Sequence, residues 1–98
     1  MGYEVVLLEE VSIDVDEATA WYESHQVNLG IRFYFEILDQ FEKLKTHPEH
    51  YGFVFKEFRQ KVLAHFPFKI IFKIIGDKVI VFAVFHTSRN FSDLFKRI

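Results

Sequence analysis

The feature that most constrains this fold is a pair of strongly apolar segments, Phe68–Ile75 and Lys78–His86, separated only by Gly76-Asp77. A two-residue connection with glycine first is typical of a type II′ turn, which joins neighbouring antiparallel strands. The first segment alternates partly with lysines, whereas the second is apolar on both faces. Because strands buried on both sides read as nearly continuous apolar runs, we expect the second segment near the centre of a sheet.

The rest of the chain predicts helices before this hairpin and further strands around it. A short strand is expected over Tyr3–Leu8, followed by a helix that begins at Ser12 or Asp14 and runs to about His25. A second helix, capped by Asn28, ends at His47-Pro48, and the short connection predicts an antiparallel helix hairpin. With a strand over Phe58–His65 and a short C-terminal helix over Ser92–Lys96, the predicted fold is α+β, in the order β-α-α-β-β-β. The helices should pack on one face of the sheet.

Size and composition narrow the class of protein. The 98 residues are half hydrophobic and contain no cysteine, which predicts one domain over residues 1–98, without disulfides or thiolate chemistry. The longest uninterrupted apolar run, Val79–Phe85, is too short to span a bilayer, and the N-terminus lacks the basic start of a signal peptide. We therefore expect a cytoplasmic protein without a membrane partner.

The two halves of the chain carry opposite charge. Residues 1–54 hold three Lys or Arg against eleven Asp or Glu, a net −8, and residues 55–98 hold nine against three, a net +6. The asymmetry suggests an acidic or nucleic-acid partner for the second half. An equally weighted alternative is that the two halves attract each other within the fold.

The turn also predicts a register. If Ile75 pairs with Lys78, then Lys73 faces Ile80, Ile71 faces Phe82 and Lys69 faces Val84. One face would then mix apolar and cationic side chains with His86, as is typical of a partner-binding groove. The predicted apolar strip comprises Leu63, Ile71, Ile80, Phe82 and Val84, and its cationic rim comprises Arg59, Lys61, Lys69 and Lys73.

The opposite face of the hairpin should receive the helices. That face is predicted to carry Phe72, Ile74, Val81, Ala83 and Phe85. An alternative to the open groove is that the C-terminal segment, with Phe91, Leu94 and Phe95, folds back over the apolar strip.

Two sets of polar residues are candidates for chemistry. Arg59 and Arg89 could hold a phosphate while His86 acts as a general acid or base, which is the minimum for metal-free RNA cleavage through the 2′-hydroxyl. The alternative is that His86 is a structural residue at the end of a strand. The run His47-Pro48-Glu49-His50 contains metal-ligand types, but the proline interrupts the helix that would align them. A solvated loop is therefore expected, with no metal and no cofactor.

Taken together, these residues resemble the RelE/ParE superfamily of bacterial type II toxins. The resemblance covers nearly the whole chain in order. It rests on Asp14, Glu17-Ala18, Trp21-Tyr22-Glu23, Leu29-Gly30-Ile31-Arg32-Phe33, Pro48, Arg59, Phe66-Pro67-Phe68, Ala83-Val84-Phe85-His86 and Arg89-Asn90.

The resemblance implies a toxin that is neutralised by a cognate antitoxin, for which the predicted groove is the expected site. Members similar to ParE poison DNA gyrase, and the ending of this chain, with Leu94 and Arg97, is closer to that branch. Members similar to RelE cleave mRNA on the ribosome, and no tyrosine follows Ala83 as it does in several of them. The alternatives are such an mRNA interferase, with His86, Arg59 and Arg89 as catalytic residues, or a degenerate member with little toxicity. Residues expected to contact the target are Arg59, Lys61, Lys69, Lys73, Arg89 and Arg97.

Overall fold

The two apolar segments form the paired strands β4 and β5 of a five-stranded sheet in a computed structural model, which describes residues 2–98. The strand order is β1-β5-β4-β3-β2, with β1 parallel to β5 and the other pairs antiparallel. The strands span Glu4–Leu7 (β1), Phe53–Phe55 (β2), Phe58–Val62 (β3), Phe68–Ile75 (β4) and Lys78–His86 (β5). Gly76 has a φ of 60°, as the first turn position of a II′ hairpin requires.

The predicted helix hairpin is confirmed, with α1 over Glu9–His25 and α2 over Leu29–Lys43. The first helix begins before the predicted Ser12 or Asp14, because the Leu8 carbonyl already accepts the Val11 amide. Asn28 occupies the N-cap position of α2 but makes no side-chain cap. Instead the Glu23 carboxylate of α1 accepts the amides of Asn28 and Gly30, so an acid from the neighbouring helix neutralises this helix N-terminus. No helix within residues 2–98 is long and apolar enough to cross a bilayer.

The main core lies between the helices and one face of the sheet. Gly30 allows the helices to approach closely, since a Cβ there would lie 2.5 Å from the Thr19 carbonyl oxygen. Fully buried side chains of this core come from both helices and from the central strands. They include Val11, Phe33, Ile37, Leu44, Ile70, Phe72, Val79 and Val81.

The predicted register holds only for the first part of the hairpin. Ile75 pairs with Lys78 and Lys73 with Ile80, as expected, but a bulge at Phe82 then shifts the pairing by one residue. Ile71 therefore faces Ala83 rather than Phe82, and Lys69 faces Phe85 rather than Val84. One extra residue in a strand sends every later side chain to the opposite face.

This shift reverses the predicted faces of four residues. His86, expected on the groove face, pairs with Phe68 and lies on the helix side. Ala83 and Phe85 were expected beneath the helices but pack on the other side of the sheet, in a second core with Ile71 and Leu94. Val84, expected in the open groove, faces the helices and is buried. Phe72, Ile74 and Val81 precede the shift and lie on the helix side, as predicted.

The C-terminal segment Phe91–Lys96 covers this second core as a 3₁₀ helix. Leu94 is fully buried against the sheet, and Phe91 and Phe95 pack around the Phe55 ring at centroid distances of 5.2 and 5.5 Å. The alternative that the C-terminal segment folds back over the apolar strip is therefore confirmed for Ile71 and Phe82, which belong to this second core. Strand β2 was not predicted, and it pairs with β3 through a tight turn in which Lys56 adopts a φ of 48°.

A buried ion pair holds the bulge. Arg97 donates to both carboxylate oxygens of Asp14, each at 2.6 Å, and also to the Phe82 carbonyl at 3.1 Å. Asp14 in turn accepts the Val84 amide at 3.0 Å. The hydrogen bond with Asp14 raises the pKa of Arg97 above its ordinary value, so the guanidinium remains charged. The Arg97 guanidinium, which was predicted to contact a target, is engaged inside the fold by these hydrogen bonds.

We expect Arg97→Ala to lower the free energy of unfolding by about 3 kcal/mol, because it leaves the Asp14 carboxylate buried without its partner. Urea denaturation measures this loss. The matched control is Lys43→Ala, which breaks an exposed ion pair with Asp39 on α2 and should cost less than about 0.5 kcal/mol. Equal losses for the two variants would contradict this role of the ion pair.

Candidate partner-binding site

The structure divides the predicted cationic rim between the two faces of the sheet. Arg59 and Lys61 pair with Phe72 and Ile70, whose side chains point to the helices. Lys69 and Lys73 alternate with these residues and lie on the other face. The alternation was predicted correctly within β3 and β4, but β3 aligns with β4 one residue away from the alignment that would place the four cations together.

Arg59 is a structural residue in this fold. Its Nη1 donates to the carbonyls of Glu49 and Tyr51 at 2.9 and 2.7 Å, and its guanidinium stacks over the Phe53 ring at 3.9 Å. These contacts anchor the chain between α2 and β2. The Arg59 guanidinium, which was predicted to bind phosphate, is thus already engaged by hydrogen bonds and by stacking.

The three lysines also make internal contacts. Lys61 is buried with its ammonium 4.8 Å from the Tyr51 ring centroid, and Lys73 forms an ion pair with Glu57 at 3.3 Å. Lys69 donates to the Arg89 carbonyl at 2.9 Å. Each cation therefore stabilises a neighbouring loop or strand.

The three candidate catalytic residues are not brought together. His86 pairs with Phe68, whereas Arg59 pairs with Phe72, four residues further along β4 and on the far side of that strand. At about 3.3 Å per residue, the two positions differ by roughly 13 Å along the sheet. Arg89 lies near His86, with its guanidinium over the Phe85 ring at 3.8 Å and its Nε 3.2 Å from Asp93. His86 Nδ1 lies 2.8 Å from the Ser88 hydroxyl.

The predicted apolar groove is also not continuous. Leu63 and Val84 are buried under the helices, and Ile71 is fully buried beneath the C-terminal segment. Ile80 and Phe82 are half-buried. The prediction that these five residues line one open surface is wrong, because the bulge and the C-terminal segment together redistribute them.

A pocket of about 600 Å³ lies instead between α1 and the last residues of β5. Its wall is mainly apolar and aromatic, and charged or polar side chains border it. The apolar lining is Ala18, Trp21, Tyr22, Pro67, Phe68 and Val84, and the polar lining is Asp14, Glu17, His86 and Arg89. Trp21 is 58% exposed, which is unusual for so large an aromatic side chain and leaves it free to contact a partner.

The same region contains an open sheet edge. Strand β1 pairs with β5 only from Lys78 to Val81, so within residues 2–98 the remainder of β5 has no strand on that side. The Thr87 amide donates to the Pro67 carbonyl on the β4 side of β5. The Val84 amide points to the opposite side of β5, where it donates to Asp14. By the alternation of strand hydrogen bonds, the Val84 carbonyl and the His86 amide are directed at the open edge, beside the pocket.

The aromatic wall of the pocket is held in place before any partner binds. The Trp21 ring stacks on His25 at a centroid distance of 3.9 Å and meets the Tyr22 ring edge-on at 5.1 Å. Burial raises the pKa of Tyr22, which keeps its hydroxyl neutral. In the sequence Trp21 was visible only as a neighbour of the buried stripe of α1, because the pocket depends on where β1 ends and on how α1 crosses β5.

We expect Arg59→Ala to lower the free energy of unfolding by about 2 kcal/mol, because two carbonyls lose a charged hydrogen-bond donor. Urea denaturation is the measurement. Arg32→Ala, which removes an exposed arginine from α2, should change stability by less than about 0.5 kcal/mol. If the two variants were equally stable, the anchoring role of Arg59 would be refuted.

Comparison with known proteins supports a relationship at the level of the fold. No protein-family model matches the sequence, and no curated protein matches it significantly. A solved structure described as the chromosomal ParDE TA (toxin–antitoxin) system from P. aeruginosa contains a similar chain. The two align with a TM-score of 0.75 over 86% of this chain and 95% of that chain, at 13% sequence identity. The fold predicted from the resemblance to RelE/ParE toxins is thus confirmed, and this chain shares it with a protein of a ParDE toxin–antitoxin system.

Proposed function

We propose that this chain is the toxin of a type II toxin–antitoxin system, that a cognate antitoxin neutralises it, and that it acts by poisoning DNA gyrase. The observation that carries the proposal is the fold, which matches a chain of a ParDE system over nearly the whole of that chain. The sequence resemblance to RelE/ParE toxins points in the same direction and rests on different evidence, the order of short residue patterns.

The arrangement of the cations favours a toxin that binds its target over one that cleaves RNA. Phosphoryl-transfer catalysis requires the charged groups to converge on one phosphate. Arg59 donates hydrogen bonds to two carbonyls and stacks on an aromatic ring. Its position also lies roughly 13 Å along the sheet from that of His86. The ribosome-dependent mRNA interferase remains the second candidate, since His86 and Arg89 do lie close together at one strand end.

The pocket beside the open edge of β5 is the site that we assign to the antitoxin. An extended segment could pair with the Val84 carbonyl and the His86 amide and insert a large apolar side chain between Trp21 and Phe68. Main-chain hydrogen bonds at a sheet edge provide affinity, and an adjacent pocket provides specificity. Arg89 at the rim of the pocket would favour a carboxylate on the bound segment.

Expression in bacteria should arrest growth and produce gyrase-linked DNA breaks while mRNA remains intact. The measurements are growth after induction, gyrase supercoiling and cleavage assays with purified protein, and primer extension on translated mRNA. Co-expression of the protein encoded beside this chain should restore growth. Cleaved mRNA with unaffected gyrase would establish the interferase instead, and normal growth with tight antitoxin binding would indicate a degenerate toxin.

We expect Trp21→Ala to weaken antitoxin binding by at least about 2 kcal/mol, roughly 30-fold, because it removes the exposed aromatic wall of the pocket. Isothermal titration calorimetry with the purified antitoxin measures this change. Phe35→Ala is the matched control, since Phe35 is 60% exposed on α2 and does not line the pocket. Equal affinities for wild type and Trp21→Ala would place the antitoxin elsewhere.

A further inference from the structure

The turn between α2 and β2 gathers three potential metal ligands. Pro48–His50 forms a 3₁₀ helix, in which side chains three residues apart are eclipsed. His47 and His50 therefore stack nearly parallel, with ring centroids 4.9 Å apart and an angle of 9° between the rings. One ring nitrogen from each histidine and one carboxylate oxygen of Glu49 all lie within 4.8 Å of one another. The proline that was expected to separate these groups instead starts the turn that aligns them.

The backbone of this turn is fixed from several directions. Pro48 is fully buried, and the His50 amide donates to the His47 carbonyl at 3.1 Å. Arg59 holds the Glu49 carbonyl. His47 adopts a left-handed φ of 57°, a conformation that non-glycine residues adopt mainly where the surroundings impose it and that clusters at functional sites. The donor groups thus project from a rigid support, although their side chains are exposed.

Contacts with Tyr3 and His47 fix the orientation of the Glu49 carboxylate. Its Oε2 accepts a hydrogen bond from the Tyr3 hydroxyl at 3.1 Å, and its Oε1 lies 3.5 Å from His47 Nδ1. A ligating group commonly has a second residue that fixes its direction in this way. Tyr3 lies just before β1, so the site joins the start of the chain to the turn after α2.

We propose that His47, Glu49 and His50 bind one zinc ion, with the remaining coordination positions filled by water. Two imidazoles and one carboxylate are ligands that Zn²⁺ accepts readily, whereas Mg²⁺ and Ca²⁺ prefer oxygen ligands in larger number. Ligand atoms around a tetrahedral zinc are about 3.4 Å apart, given bonds of 2.0–2.1 Å. Small rotations of the exposed side chains, which move the ligand atoms together by at most about 1.4 Å, reduce the observed spacing of up to 4.8 Å to that value.

The proposed zinc site is independent of the toxin proposal. None of the three ligands lines the pocket beside β5. Zinc bound here would brace the turn between α2 and β2 and, through Glu49, the contact with Tyr3. It would stabilise the folded chain because only the folded chain fixes the 3₁₀ turn and the left-handed His47 that orient the ligands.

The test uses untagged, metal-free protein titrated with ZnCl₂ in a calorimeter, and with CoCl₂ to follow the visible absorption of the bound ion. We expect one ion per chain and a rise in melting temperature with zinc. His50→Ala and His47→Ala should each weaken binding at least tenfold, and Tyr3→Phe, which frees the carboxylate, by roughly tenfold.

His65→Ala is the matched control, since the exposed His65 lies 2.7 Å from the largely buried Glu36 carboxylate and belongs to no group of three ligands within residues 2–98. It should bind zinc as wild type does. Circular dichroism checks the fold of each variant, and we expect all of them to remain folded because the substituted histidines are exposed and Tyr3→Phe keeps the aromatic ring. Absence of zinc binding by the wild type, or equal binding by wild type and the His47→Ala/His50→Ala double variant, would overturn the proposal.

Discussion

The Asp14–Arg97 ion pair is the interaction on which the rest of this structure depends. It joins the first helix to the last residues of the chain, and it also hydrogen-bonds to the backbone on both sides of the bulge in β5. A bulge leaves main-chain groups out of the strand ladder, and such groups are costly when buried without a partner. Here the Arg97 guanidinium donates to the carbonyl of the bulge residue Phe82, and the Asp14 carboxylate accepts the amide of Val84, which lies beyond the reach of β1. The two charged groups therefore neutralise each other and also provide hydrogen-bond partners for two backbone groups.

The bulge divides the sheet into two regions with different partners. Before it, the strands present one apolar face to the helices. After it, Ala83 and Phe85 turn to the opposite face and require a second cover, which the C-terminal segment supplies through Leu94. The guanidiniums of Arg89 and Arg97 both lie against the Phe85 ring, so the second core is closed by cations as well as by aromatic rings. The end of β5 is left as an open edge beside a pocket, and it is there that a partner can pair with the sheet.

Part of the charge asymmetry is neutralised within the fold. Arg97 from the basic half pairs with Asp14 from the acidic half, Lys78 pairs with Glu4, and Arg59 donates to carbonyls of the acidic half. These contacts support the alternative that the two halves attract each other. The proposed action on gyrase accordingly rests on the fold, and not on a broad basic surface.

Local patterns in the chain were sufficient to predict the helix hairpin, the Gly76-Asp77 turn and the first pairs of β4 with β5, because apolar periodicity and turn chemistry act over a few residues. They were also sufficient to predict a fold shared with a toxin–antitoxin protein. The position of the bulge was decided only in three dimensions, since it depends on Asp14 and Arg97 meeting across 83 positions of the chain. The faces of Val84 and Phe85, the burial of Arg97 and the pocket at Trp21 all follow from that long-range contact. The same holds for His47 and His50, whose alignment depends on a 3₁₀ turn that Arg59 fixes from another strand.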